Sequence, residues 1–405
     1  MQVSCVDCHT QGMTSYPIYF QWPIAKEMIA HDIESAQTAF RLSKNQLAGL
    51  EPIGAIDLAK IATVIKSGSM PPAKYTLLHW SAALSDSQKG AILSYIQDKQ
   101  EDSGIALTAI PEKNPFHVDV DKARLGERLY FDKRLSTDNS VSCASCHALD
   151  KGGTDRLRVS TGVHGEQGAI NSPTVFNSAF NFCQFWDGRA RDLADQVSGP
   201  ITNPHEMATD FKSILTKLAG DTAYGAMSKA AYKASLSESN IKDAIANYEK
   251  TLLTPNSAFD KYLKGDQSAL SDQQKRGYLT FMEKGCATCH AGVGMGGMSF
   301  EKMGVYKDYF AYRENTLHMP HTPADDGRFN VSHDRLDMGK FKVPLLRNIA
   351  LTAPYFHDGS AATLREAVSV MGVYEAGNKL TAAETDSIVA FLESLTGEYK
   401  GKKLQ

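Results

Sequence analysis

Apolar residues along this chain recur at helical spacing. Within 240–253 they fall at Ile241, Ala244, Ile245, Tyr248 and Leu252, one stripe of a 3.6-residue period, which predicts an amphipathic helix. Three more helices announce their starts. Ser85-Asp86-Ser87-Gln88 precedes Ile92, Leu93 and Ile96. Ser271-Asp272-Gln273-Gln274 precedes Tyr278, Leu279 and Phe281. Thr381-Ala382-Ala383-Glu384 precedes Ile388, Val389, Leu392 and Leu395. Each has capping-box form, in which a hydroxyl and a Glu or Gln three residues on satisfy each other's backbone N–H groups. Most of the chain reads as helix, so the expected fold class is mainly α. Residues 101–115 (EDSGIALTAIPEKNP) carry turn formers and little periodicity and read as a linker. A second boundary is expected near Thr254-Pro255-Asn256. These breaks divide the chain into modules at 1–108, 109–255 and 256–405.

Composition narrows the classes. The 405 residues are 42% hydrophobic and 22% charged, which excludes a disordered chain, a collagen or a coiled-coil rod. Lys and Arg number 43 against 46 Asp and Glu, a net charge of −3, so there is no basic surplus and nucleic acid is not an expected partner. No apolar run is long enough to span a bilayer.

The chemistry lies in the cysteines. Six of the seven form Cys5-Val6-Asp7-Cys8-His9, Cys143-Ala144-Ser145-Cys146-His147 and Cys286-Ala287-Thr288-Cys289-His290. C-x-x-C-H is the attachment signature of c-type haem: two thiols add across the vinyl groups and the adjacent His lies under the iron. A disulfide framework suits short secreted chains, and zinc does not explain a His after every pair. Three covalent haems are therefore expected. Cys183, in Phe182-Cys183-Gln184-Phe185-Trp186, reads as a buried inert thiol. Covalent haem attachment takes place outside the cytoplasm, yet Cys5 follows Met1 closely. An export segment ahead of this sequence is expected, as a cleaved signal or a retained membrane anchor.

Each module carries its own cues. Ser69-Met70-Pro71-Pro72 offers a thioether on a stiff extended loop, so His9 and Met70 are the expected axial pair of the first iron. Met70 as plain core, and His31 or His79 as ligands, are the alternatives. The stretch from Cys5 to Gln97 resembles a mono-haem class I cytochrome c, with a closed iron suited to receiving electrons. Leu129-Tyr130-Phe131 before the second motif is echoed by Leu279-Thr280-Phe281 before the third. The first and last modules both end in a Met followed by a capped helix.

From roughly 115 to 400 the chain resembles the bacterial di-haem cytochrome c peroxidases. The resemblance is carried by Leu129-Tyr130-Phe131-Asp132, Asn171-Ser172-Pro173-Thr174, Phe185-Trp186-Asp187-Gly188-Arg189-Ala190, Gln196, Glu206-Met207, Val343-Pro344-Leu345-Leu346-Arg347-Asn348 and Ala353-Pro354-Tyr355-Phe356-His357-Asp358-Gly359. With its extra N-terminal module, the chain is similar to the tri-haem, membrane-anchored quinol peroxidases. The resemblance implies three cytochrome c-like helical domains, the last two forming a di-haem peroxidase unit. It implies reduction of hydrogen peroxide to water at the second haem. Glu206 would be the acid–base group and Gln196 the polar donor to the departing oxygen. His147 would be the proximal ligand and His164, between Gly162 and Gly165, a distal ligand that swings away. His290 and Met371 would ligate the third iron, with His357 beside it and Trp186 between the two haems. Asn171, Thr352 and Pro354 match a calcium site between domains, a set of oxygen donors that suits that ion. Electrons would pass from ubiquinol or menaquinol to the first haem, then the third, then the second, at the periplasmic face of the inner membrane. A soluble cytochrome or copper-protein donor, or a non-catalytic multihaem carrier, are the competing readings. A quinone-cofactor-maturing relative has Tyr where Met371 stands, and Met371 points away from it. Tyr16, Tyr19, Trp22 and His79 are candidates for a quinone pocket, with core packing the alternative.

Overall fold

The computed structural model describes residues 5–10, 18–78, 82–101, 106–377 and 379–405. It is mainly helical, with two short two-stranded sheets among the described residues: Phe300–Lys302 against Lys340–Lys342, and Glu398–Tyr399 against Lys402–Lys403, both antiparallel. No described helix is long and apolar enough to cross a membrane.

Three hydrophobic clusters organise the chain. The first joins Leu42, Leu58, Ile61, Ile65 and Ile96, where the helices Ala55–Ser67 and Asp86–Glu101 pack together. The second gathers Leu125, Leu129, Ile214, Ile241 and Ile245. The third gathers Phe259, Phe281, Ile388, Phe391 and Leu395. The last two are built on the same device. Helix Val120–Tyr130 crosses helix Glu238–Glu249 at Gly126, where a Cβ would run into the Ala244 carbonyl and Tyr248. Helix Asp272–Glu283 crosses helix Ala382–Glu393 at Gly277, where a Cβ would meet the Ser387 carbonyl and Phe391. Glycine lets the two backbones touch in each case.

The capping boxes at Ser271 and Thr381 form, and Ser85 and Gln88 exchange the same reciprocal bonds. The stripe expected over 240–253 is a helix over Glu238–Glu249, capped by Ser237. The residues that follow leave the helix: Leu252 packs with Tyr130, Val175 and Phe176, and the Thr254 hydroxyl receives the amides of Asn177 (2.7 Å) and of Asn348 from the third module (2.9 Å).

The segment read as a linker is not a free tether over its described part. Ile110 is 1% exposed, its N–H donates to Asp260 Oδ1 at 3.0 Å, and the Arg347 guanidinium donates to the Thr108 carbonyl at 2.8 Å. A buried Arg347–Asp260 ion pair at 2.8 Å anchors both contacts. Turn formers in the sequence marked the lack of a helix correctly but carried no sign of this tertiary anchoring.

The second and third modules also share a corner. Phe185-Trp186-Asp187-Gly188 and Phe356-His357-Asp358-Gly359 both place their Phe and Gly at positive φ. Each is closed by an antiparallel bridge, Gln184 with Ala190 and Tyr355 with Ala361. The corners place Trp186 and His357 at corresponding positions of the two halves.

Candidate active site

The three C-x-x-C-H segments each form a short helical turn, which brings two thiols and a His to one side. None of the six cysteines is paired in a disulfide. Burial keeps them protonated: Cys143 is pushed up to about 12, Cys146 and Cys286 to about 11, and Cys289 further still. His9 is buried and stacks on Phe40 at 4.0 Å, with Nδ1 against the Phe40 carbonyl at 3.2 Å. His290 sets Nδ1 on the Met295 carbonyl, also at 3.2 Å, and burial lowers it to about 4. A carbonyl on Nδ1 fixes the tautomer that leaves Nε2 free for a metal. His147 is different: among the described residues its buried Nδ1 has no hydrogen-bond partner, while Tyr130 donates to its carbonyl at 2.6 Å.

A largely apolar cavity of about 990 Å³ runs between the first and third modules. His9 and Met70 line it from one side, His290 and Met371 from the other, with Trp186, His357 and Lys342 also on its wall. Lys342 is buried, and its ammonium is pushed down to about 8 by desolvation. No carboxylate pairs with it among the described residues. Paired thiols beside His nitrogens held open, and a buried cation with no carboxylate partner among the described residues, fit haem c, whose acidic groups would balance that cation. Met70 and Met371 each share the cavity with their expected partner His. Met295 packs in the third core, fully buried. His31 is exposed, beside Asp32, and does not line the cavity. His79 and Tyr16, and the side chain of Tyr19, lie outside the described residues, and Trp22 is exposed.

Around the second motif, Glu206 follows a turn in which Asn203 donates to its Oε1 at 2.7 Å. Burial pushes its carboxyl above the ordinary range, with Asn203 and the nearby Arg189 and His205 pulling back. Glu206 is near enough to the second motif to raise Cys146. The Val163 N–H donates to the Glu206 carbonyl at 2.8 Å, which ties the His164 hairpin to this residue. His164 itself has φ +56° and a side chain 65% exposed, 3.5 Å from Asp138, so in this structure it is turned outward. Gln196 does not present its amide nitrogen freely. Nε2 donates to both oxygens of Glu249, at 3.1 and 3.2 Å. Glu249 lies one position past the apolar stripe residue Tyr248, on the helix's buried side, and was not expected from sequence; a lone carboxylate at the end of an amphipathic stripe looks like a solvated cap. Its burial, at 6% exposed, is the signal only the fold reveals.

Trp186 donates Nε1 to the Asn171 carbonyl at 2.9 Å. His357 stacks on Phe341 at 4.1 Å and sets Nε2 on Asp325 at 2.7 Å, so that nitrogen is occupied. Asp325 also pairs with buried Arg313, which bridges to Asp358 at 2.9 Å. Asp325, His357 and Asp358 lie close enough to hold a cation, but Arg313 already fills that place. Asn171, Thr352 and Pro354 border the cavity together, and the Asn171 amide nitrogen donates to the Leu157 carbonyl at 2.9 Å. Cys183 is buried, as expected.

Comparison with known proteins identifies the family. Residues 120–268 match the family model described as di-haem cytochrome c peroxidase, and residues 1–98 match a haem-binding domain. The cytochrome c peroxidase Ccp of Escherichia coli K12 is 44% identical over 409 residues, covering 98% of this chain and 86% of that protein. The cytochrome c551 peroxidase of Nitrosomonas europaea is 45% identical over 286 residues, 70% of this chain and 83% of the relative. Among solved structures, a MauG-like protein associated with microbial copper homeostasis superposes with a TM-score of 0.63 at 29% identity, over 73% of this chain and 94% of that one. With a haem-binding module ahead of two halves that repeat one helix crossing and one corner, the chain belongs to the di-haem cytochrome c peroxidase family and is a peroxidase.

Proposed function

We propose that this peroxidase carries three covalent haems and reduces hydrogen peroxide to water with electrons from membrane quinol, at the periplasmic face of the inner membrane. The observation that carries the reading is the docking of the first module on the third. The Thr63 hydroxyl meets that of Thr288, inside the third motif, at 3.0 Å, and Lys60 pairs with Glu301 at 2.7 Å. Arg41 reaches Asp334 at 2.7 Å beside them. The first and third motifs thus border one cavity, as a built-in donor and its acceptor would.

Bound haem would supply a redox-active iron at each motif. His9 with Met70, and His290 with Met371, would hold the closed irons, and His147 the reactive one. Glu206 takes the proton from one peroxide oxygen and returns it to the other. Gln196 supports the departing oxygen. Two electrons and two protons turn one peroxide into two waters. Trp186 bridges the second and third modules. His164, outward in this structure, is read as a reversible ligand whose hairpin turns on Gly165 (φ +79°). Calcium at Asn171, Thr352 and Pro354, with carbonyl and water oxygens, would brace the seam.

The test is anaerobic steady-state peroxide reduction with a short-chain quinol, then with reduced cytochrome c. Turnover with quinol and little with cytochrome c supports the reading. The reverse makes the donor a soluble cytochrome, as the names of the E. coli and Nitrosomonas relatives suggest. No turnover with either, after reduction of the third module, would leave an electron carrier.

A further inference from the structure

Glu249 is a buried acid at the C-terminal end of its helix, where burial and the helix dipole both disfavour a charge. The one hydrogen-bond partner of its carboxyl group among the described residues is Gln196. The other groups that face it bring no cation: Tyr130 from the crossing helix, Cys143 from the haem-attachment turn, and Tyr248 on its own helix. The carboxyl is pushed up to about 8, burial raising it and the Gln196 bond opposing that.

A carboxylate can only accept hydrogen bonds. Facing Gln196, it takes the amide N–H and leaves the carbonyl oxygen of Gln196 for the other side. A neutral carboxyl carries one O–H, which can donate to that carbonyl oxygen once the carboxamide turns over. The amide N–H₂ is then released toward the peroxide. The geometry points to Glu249 as the positioning residue of the peroxide pocket: its proton decides whether Gln196 presents a donor or an acceptor beside the second haem.

This rests on the reading of Gln196 as a pocket residue, and the experiment separates the two. The probe is fluoride, titrated optically onto the ferric second haem of the holoenzyme with the third haem reduced, between about pH 6 and pH 9. Fluoride on iron is held by a neighbouring N–H donor. The wild type should lose about fivefold or more in affinity across a step near pH 8, beyond the trend shown by Gln196→Leu, the size of one hydrogen bond. Glu249→Gln, which cannot titrate, should lack that step. If Gln196→Leu binds fluoride as the wild type does at every pH, the reading of Gln196 fails. If Gln196→Leu weakens binding but wild type and Glu249→Gln share one pH trend, the inference about Glu249 is overturned. If Glu249→Gln does not assemble, the wild type against Gln196→Leu decides: a step near pH 8 confined to the wild type supports the inference, and a step in both overturns it.

Discussion

The rings of Trp186 and His357 face each other edge-on with centroids 6.4 Å apart, at matching corners of two repeated modules. A chain of hydrogen bonds holds them. Trp186 donates to the Asn171 carbonyl, and the Asn171 N–H donates to the His357 carbonyl at 2.7 Å. The Lys342 N–H in turn donates to the Trp186 carbonyl at 2.7 Å. The seam between the two modules is therefore tied by hydrogen bonds at the place proposed for electron transfer.

Replacing Trp186 by Phe keeps an aromatic ring but removes the N–H to Asn171. Haem content should be unchanged. Peroxide-driven reoxidation of the pre-reduced third module, followed by stopped flow, should slow by about tenfold, a barrier change of about 1.4 kcal/mol. An unchanged rate would remove Trp186 from the electron path.

Asp325 is nearly inaccessible and bears on His357 through one oxygen and on Arg313 through both. Burial alone would raise its carboxyl, but the Arg313, His357 and Thr322 bonds together hold it well below the ordinary range. Asp325→Asn leaves Arg313 buried with Asp358 alone and should cost about 3–5 kcal/mol in urea unfolding at neutral pH. A depressed carboxyl contributes stability above its unfolded pKa and loses it as pH falls through the folded one. The gap between wild type and variant should therefore narrow only below about pH 3.9. A gap independent of pH in that range would show that Asp325 acts by packing rather than by charge.

How far the sequence reaches can be judged at particular residues. The haem cysteines and their histidines were legible because covalent attachment demands adjacent residues. The capping boxes were legible because a helix start is a local event. Glu249 and the Arg347–Asp260 anchor were not, because burial is decided by segments far apart in the chain. The corner repeat was open to detection: Phe-Trp-Asp-Gly and Phe-His-Asp-Gly stand 171 positions apart and share every residue but one. What hid it is that Trp and His belong to different chemistries and are seldom compared. The donor role expected of Gln196 needs its neighbour to be understood, since Nε2 is already engaged by Glu249.

Lys60 and Glu301 are each about 15% exposed and pair across the junction of the first and third modules. Burial would lower the Lys60 ammonium, and Glu301 more than restores it. Lys60→Met keeps the apolar stem and strands Glu301, loosening the junction. Quinol-driven peroxide reduction should fall about tenfold, while turnover driven by a small artificial reductant of the third module should stay within about twofold. Equal losses with both reductants would place the defect in the peroxide site, and no loss with either would mean that the junction does not carry the electrons.

Glu206 gives the sharpest test of the peroxide chemistry, because its proposed role fixes both a magnitude and a sign. Glu206→Gln preserves size and the contact with Asn203 but cannot take a proton, so peroxide turnover should drop by about 10²–10⁴-fold with haem spectra unchanged. To accept the first proton from peroxide, Glu206 must be ionised. Its carboxyl is raised by burial, so kcat/KM should decline as pH falls through a value above about 4.3, the ordinary Glu range, and level off on the alkaline side. The variant should show no such acid limb. The His164 hairpin hangs on the Glu206 backbone through Val163, so the resting optical spectrum must be compared alongside the kinetics. A shifted spectrum would mean the hairpin has moved and the loss is positional. An unshifted spectrum with the acid limb still present would assign proton transfer to another group.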